Sequence, residues 1–405
     1  MVTSYQFLVQ QYLLFLIILD FKMRTLLNII FFSAICFCVN TNCKKSYAPP
    51  EIQVDYKFLV IDGQLVNSAD SPSIFILSRT KKLTDSTFSS APELGAKVSV
   101  EGNAGGIFNF IEQPNGIYKA DHIIMNTANK YRLKIITRSG DQYLSDYVDV
   151  KQAPPIDSVT WQQQNDVSIF VNSHDPLNNT RYYKWDFTET YQYESPLQAS
   201  LSQTNNTLFY VDSTNQTFDC WRSVNSTNIL IGSSIALSQD VISKAPIAIV
   251  PQNSQKISIR YSILVKQYAL TQAAYQYLQI LKKNTENLGS IFDAQPTELT
   301  GNIYCINKPS EIAIGFFSAS SVQQKRIFIT KNEVSNWHFV DTNRECGIMS
   351  IGHFPLPDPR FFLYDYPDPD YYPYYFCGSS CLMIARRECV DCRVRGGVNQ
   401  KPSYW

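Results

Sequence analysis

From Phe58 onward the sequence is cut into short runs in which apolar and polar residues alternate or apolar residues stand together, with turn residues between them. Side chains on a strand point to opposite faces in turn, so this period of two demands sheets with one covered face. Phe58–Asp62 leads through Gly63 to Gln64–Val66. Ser73–Ser78, Lys97–Glu101, Gly106–Ile111, Gly116–Ala120, Tyr131–Thr137 and Gln142–Val150 follow, spaced by Asn-Gly and Ser-Gly turns. Seven or eight short strands over about 95 residues predict a sandwich of immunoglobulin-like size at 57–152.

Ala153-Pro154-Pro155-Ile156 marks a boundary, because paired prolines cannot continue a ladder. Strands resume at Ser158–Trp161 and Val167–Asn172. Arg181–Tyr193 alternates aromatic and polar residues over a long stretch, the pattern of a strand with one wet face. Asn228–Ile231, Ile247–Val250, Lys256–Gln267, Ile303–Ile306, Ile312–Ser318 and Lys325–Ile329 add further strands, and Ser238–Ser243 reads as one helical turn. A single amphipathic helix is predicted after Thr271, which can cap it; Leu270, Ala274, Tyr277, Leu278 and Leu281 share one face. His353–Phe376 is rich in Pro, Asp and Tyr without periodicity, and reads as a surface loop or an irregular packed segment. The expected fold is therefore mainly β: an N-terminal immunoglobulin-like β-sandwich, then a larger β-rich domain at 153–405 with one amphipathic helix.

Composition narrows function only by exclusion. Lys and Arg number 35 and so do Asp and Glu, so the chain lacks the positive field that nucleic acid requires. Charged residues are 17% and apolar residues 44%, a balance that supports a sizeable core and argues against disorder.

The N-terminus speaks to compartment. Met23-Arg24 is a short basic region, Leu26–Phe37 is an almost unbroken apolar run, and Cys43 follows. This is the layout of a secretory signal. A cysteine just past the apolar run predicts a lipoprotein acylated at Cys43, although Asn42 stands where a small residue usually precedes it. Residues 1–42 then read as an upstream extension plus signal peptide with the start at Met23, and 43–56 as a tether. The expected address is the cell envelope, as an outer-membrane lipoprotein held to the membrane by its lipid.

An exported address also bears on the cysteines. Cys377-x3-Cys381-x7-Cys389-x2-Cys392 has spacing that could serve zinc, but exported thiols more often oxidise. Cys220, Cys346, Cys377, Cys381, Cys389 and Cys392 are therefore the disulfide candidates. Cys389–Cys392 is the most local pair, and a bridge from this cluster to Cys346 or Cys220 would close a longer loop and tie down the tail to Trp405. Connectivity stays open at this level. No metal and no cofactor is expected.

Catalytic motifs are not evident. His122, His174, His338 and His353 are scattered, and neither a Gly-x-Ser-x-Gly elbow nor His-Glu-x-x-His is present. A hydrolase site assembled from dispersed residues such as Asp157, Glu189 and His174 is the alternative reading. Phe361, Phe362, Tyr364, Tyr366, Tyr371 and Tyr372 crowd a Pro-rich stretch and form a candidate binding platform, with side-packing of a β domain as the competing account.

Several stretches together resemble one family, the domain of unknown function 4249 of exported Bacteroidota lipoproteins. They are Phe58–Gly63, Tyr131–Ile135 with Gly140-Asp141-Gln142-Tyr143, Pro154–Val159, Arg181–Trp185, Cys220-Trp221, Tyr261–Val265 and Gly301-Asn302-Ile303. Cys389-Val390-Asp391-Cys392-Arg393, Gly396-Gly397 and Lys401–Trp405 close the set. The resemblance implies a cell-envelope lipoprotein linked to TonB-dependent outer-membrane transport, and it brings no catalytic residues. Together these readings predict a non-enzymatic binding or accessory module whose ligand is unknown.

Overall fold

The computed structural model describes Met23 and residues 57–81, 91–204, 207–286, 299–341, 346–351, 370–378 and 381–405. Cys43, the tether, Phe361, Phe362, Tyr364 and Tyr366 lie outside the described residues. The described residues from 57 onward belong to one compact unit, which is mainly β with a single long helix among them.

In Leu59–Asn67, Leu59, Ile61 and Leu65 point inward and are buried. The strand pairs antiparallel with Ser73–Arg79, from Leu59↔Arg79 to Gln64↔Ile74. At the centre of this pair Gly63 has φ 141°, and a Cβ there would run into the Ile74 carbonyl oxygen, so only glycine fits. Ile117–Ala120, Ile107–Gln113, Lys97–Gly102 and Lys130–Ile136 continue the sheet neighbour to neighbour. Val148–Lys151 then pairs with Lys130–Ile136 on one side and, in parallel, with Ala319–Thr330 on the other. The same Ala319–Thr330 pairs in parallel with Leu65–Asn67. The pairings thus close into a ring around Leu59, Phe75, Leu77, Val100, Tyr118, Leu133 and Tyr143.

This first core also takes Ile303, Cys305, Ala313 and Phe317 from far along the chain. Ile303–Cys305 pairs with Gln142–Ser145, and Ala313–Gly315 lies parallel to Leu59–Ile61. Residues beyond the Pro154-Pro155 boundary therefore complete the N-terminal sandwich.

The second core lies between two sheets. One runs Asp219–Asn225, Tyr182–Glu194, Arg260–Ala269, Ala319–Thr330, with Leu230–Ser233 beside the start of Tyr182–Glu194. The other is Ile156–Gln163, Val167–Asp175, Asp240–Val250. Val167, Ile169, Val171, Tyr183, Trp185, Tyr193, Tyr261 and Ile263 fill the space between them. Ala319–Thr330 belongs to both cores, with its first residues in the ring and its remainder paired to Arg260–Ala269. The helix Gln272–Glu286 begins where predicted, with the Thr271 hydroxyl accepting the Ala274 N–H at 3.2 Å and Ala274 and Tyr277 buried.

Two expectations need correction. Ser238–Ser243 is not helical: Asp240 and Ile242 are buried while Val241 is exposed, a period of two, and the stretch opens the strand Asp240–Val250. The aperiodic segment ends in a strand, Tyr371–Phe376, which joins Leu382–Arg386 and Ile348–Ile351. Its alternation was hidden by Pro373 and by the register shift between Pro373 and Tyr375.

All six candidate cysteines are paired: Cys220 with Cys392, Cys346 with Cys389, and Cys377 with Cys381. Cys389 and Cys392, adjacent turns of the same tail, thus go to separate partners. The Trp221 and Val398 backbones exchange hydrogen bonds of 2.8 and 2.9 Å. Arg260 lies over the rings of Phe328 and Trp405, so the tail is strapped across the outer face of the sheet.

Candidate binding clefts on the two faces of one strand

The strand Tyr182–Glu194 separates two clefts, and its period of two decides what each receives. Tyr183, Trp185, Phe187, Glu189, Tyr191 and Tyr193 face inward; Lys184, Asp186, Thr190 and Gln192 face the other way. Glu189 is the one charged side chain on the aromatic face, and it is only 5% exposed.

The first cleft, about 880 Å³, opens between Leu230–Ser233 and Asp240–Val250. Among the described residues each of these strands pairs on one side only, so two sheet edges face the cleft. Trp185, Phe187, Leu230 and Ile247 give it apolar walls, and Val224, Leu237, Val241 and Ile249 are exposed around it. Glu189 and Lys256 are its charged pair. The Lys256 ammonium donates to Glu189 Oε2 at 2.6 Å and the Tyr261 hydroxyl to Oε1 at 2.7 Å. Burial, then the Glu189 charge, pushes the Tyr261 phenol well above its ordinary range, which keeps it a donor. Trp185 is fixed from behind: its indole N–H donates to Gln267 Oε1 at 2.9 Å, and the Gln267 amide donates to Pro154 O and Ser173 Oγ. Gly232 lies against this ring, where a Cβ would stand 2.7 Å from Trp185 Cη2.

The second cleft, about 640 Å³, lies under the helix Gln272–Glu286. It is lined by Asp62 and Gln64 from the outward face of Leu59–Asn67, by Lys184 and Asp186, and by Tyr277, Leu281 and Phe316. Ser226, Thr227 and Asn228 line both clefts and form their common wall. The helix clamps the end of that wall: Lys282 Nζ donates to Ile229 O at 2.7 Å, and the Ile229 N–H donates to Glu286 Oε1 at 2.6 Å.

The three residues of the hydrolase alternative do not come together in either described cleft. His174 Nδ1 pairs with Asp157 at 2.8 Å on the exposed side of their sheet, and this bond holds the imidazole above its ordinary pKa. Neither residue lines the cleft that holds Glu189. Of the aromatic platform, only Tyr371 and Tyr372 fall among the described residues. Tyr371 packs against the cluster of Leu201, Leu382 and Ile384. Tyr372 donates to Gln203 O at 2.6 Å and carries Arg387 over its ring. Both therefore take part in packing. Among the described residues no group of three His, Cys, Asp or Glu side chains could hold a metal ion, and no helix is long and apolar enough to cross a membrane. Sequence reasoning missed Lys256, Tyr261 and Lys282, which sit on separate elements and carry no local motif.

A family model described as "Domain of unknown function (DUF4249)" matches residues 45–326. The chain belongs to this family. The match takes in the strands of the first sandwich and both clefts, and stops short of Cys389–Arg393 and Lys401–Trp405. No curated protein matches the sequence. The Yersinia pseudotuberculosis adhesin InvE shows a weak structural similarity, at 12% identity and a TM-score of 0.14, over 53% of this chain and 55% of the adhesin. At that distance it carries no argument about the DUF4249 chain.

Proposed function

We propose that this DUF4249 protein is a lipid-anchored cell-envelope protein. On this reading it is a non-enzymatic binding or accessory module that works beside an outer-membrane transporter of the TonB-dependent type. One observation supports the binding role above the rest. The first cleft is open, has apolar walls and is framed by two strand edges unpaired among the described residues, with exposed Val224, Leu237, Val241 and Ile249 at its margin. Exposed apolar side chains gathered at a cleft mark surfaces that bind a partner or a ligand. The signal-like segment ending at Cys43 supports the anchor.

The test is recovery of the full chain from solubilised envelope membranes. A transporter should co-purify. Val241→Asp with Ile249→Asp should reduce its yield without unfolding the protein, since those side chains are 40% and 63% exposed. Absence of a transporter, or a yield indifferent to the double substitution, counts against the reading. Cys43→Ser should move the protein to the soluble fraction and abolish fatty-acid labelling.

A further inference from the structure

The inward face of Tyr182–Glu194 changes character along its length. Trp185 and Phe187 give the first cleft an apolar floor, and Glu189, next on the same face, ends that floor with a charge. Four steps of strand take the floor from Trp185 to Glu189, a run of about 13 Å. Leu230, Ile231 and Ile247 wall it, and Lys256 lies at its charged end.

What the charged end offers an entering molecule is donors. Glu189 is buried and spends Oε1 on the Tyr261 hydroxyl and Oε2 on Lys256, so its charge is already engaged. An ammonium has three N–H groups, and that of Lys256 meets one acceptor among the described residues while its side chain stays 30% exposed. Lys282, the second ammonium of the lining, donates to Ile229 O, and the carboxylate beside it, Glu286, lines the other cleft instead. The first cleft is thus lined by two ammonium groups and by one carboxylate with both oxygens spent. An acceptor brought to Lys256 takes the place of water there and leaves the bond to Glu189 in being.

We infer that the first cleft binds an amphipathic monocarboxylate, an acyl or arylalkyl acid. Its carboxylate accepts from Lys256, and its apolar body lies along Phe187 and Trp185. A cleft of about 880 Å³ with apolar walls and few polar groups is of the size and kind that takes such a ligand. The inference rests on the reading of this cleft as a binding site and adds what enters it; the margin at Val241 and Ile249 stays with the partner chain.

Three probes share one body and differ in the head: 4-phenylbutanoate, 4-phenylbutan-1-ol and 4-phenylbutylammonium. Binding to the full chain in detergent, against detergent alone, is measured by calorimetry and by ligand-observed NMR. The carboxylate should bind in preference to both others. Lys256→Gln should weaken it about tenfold, the scale of one charge-assisted hydrogen bond. That change leaves Glu189 without its ammonium, so Glu189→Gln with Lys256→Met removes both charges together, and this double variant should bind the carboxylate no better than the alcohol. Lys97→Gln, at an exposed lysine outside both clefts, should leave binding unchanged. Equal binding of the three probes, no binding of the carboxylate, or a carboxylate preference that survives in the double variant would overturn the assignment. Transporter recovery separates the two readings: a transporter that co-purifies with a chain blind to the carboxylate sinks the ligand alone, and carboxylate binding without a transporter sinks the accessory role alone.

Discussion

Glu189 shows how one side chain can be out of keeping with its strand and still be held. Its neighbours on the same face are Phe187 and Tyr191, yet it carries a charge at 5% exposure and spends both oxygens on Tyr261 and Lys256. Removing one partner from a buried pair leaves the other uncompensated. Lys256 still reaches solvent, so the cost falls below that of a fully buried pair. Glu189→Gln should therefore destabilise by about 2 kcal/mol in urea unfolding, and adding Lys256→Met should restore part of the loss. Full additivity of the two changes would mean the pair is not coupled. His174 offers a test on the surface. Its folded pKa is raised by Asp157, so its contribution is complete below the unfolded value of about 6.5 and is lost as pH rises through the higher folded midpoint. NMR titration should place that midpoint above the ordinary range and Asp157→Asn should return it; a midpoint indifferent to the substitution would refute the pairing.

At the scale of elements, legibility followed locality. The helix could be read because Thr271, Ala274 and Tyr277 place its cap and its buried face within a few residues. The face of Tyr182–Glu194 could be read because aromatics recur at every second position. The strands Leu201–Thr204 and Thr207–Tyr210 could not, since their cover comes from Leu382 and Ile384, far along the chain. The same holds for the clefts. Glu189 was singled out from the sequence as one of several dispersed residues. That it meets Lys256 and Tyr261 depends on the pairing Glu189↔Ile263, which no local pattern encodes. Leu230–Ser233 shows how closely such elements fit, because Gly232 rests on the Trp185 ring. Gly232→Ala should force the strand outward and destabilise by about 1–3 kcal/mol. The change should be seen as a lower melting temperature with altered tryptophan fluorescence; an unchanged melt would mean the strand yields freely.

For the whole molecule, the bridges differ in what they constrain. Cys220–Cys392 spans 172 residues and Cys377–Cys381 spans 4. Chain-entropy estimates give about 5 and about 2 kcal/mol respectively. Replacing the first pair by serine should lower the melting temperature much more than replacing the second, and equal losses would contradict this ranking. The ring of the first sandwich makes a further demand, because Ala319–Ser321 supplies the strand that joins Leu65–Asn67 to Val148–Lys151. A fragment of residues 57–152 should lack cooperative unfolding by circular dichroism, and a sharp transition would show that the ring needs no closure. The half made first is then the half sealed last. Roughly 170 residues separate Lys151 from Ser320, so the strands on either side of the gap cannot be joined until the second half has brought Ala319–Ser321 back to them. Until then two strand edges stand uncovered, open to any neighbouring strand.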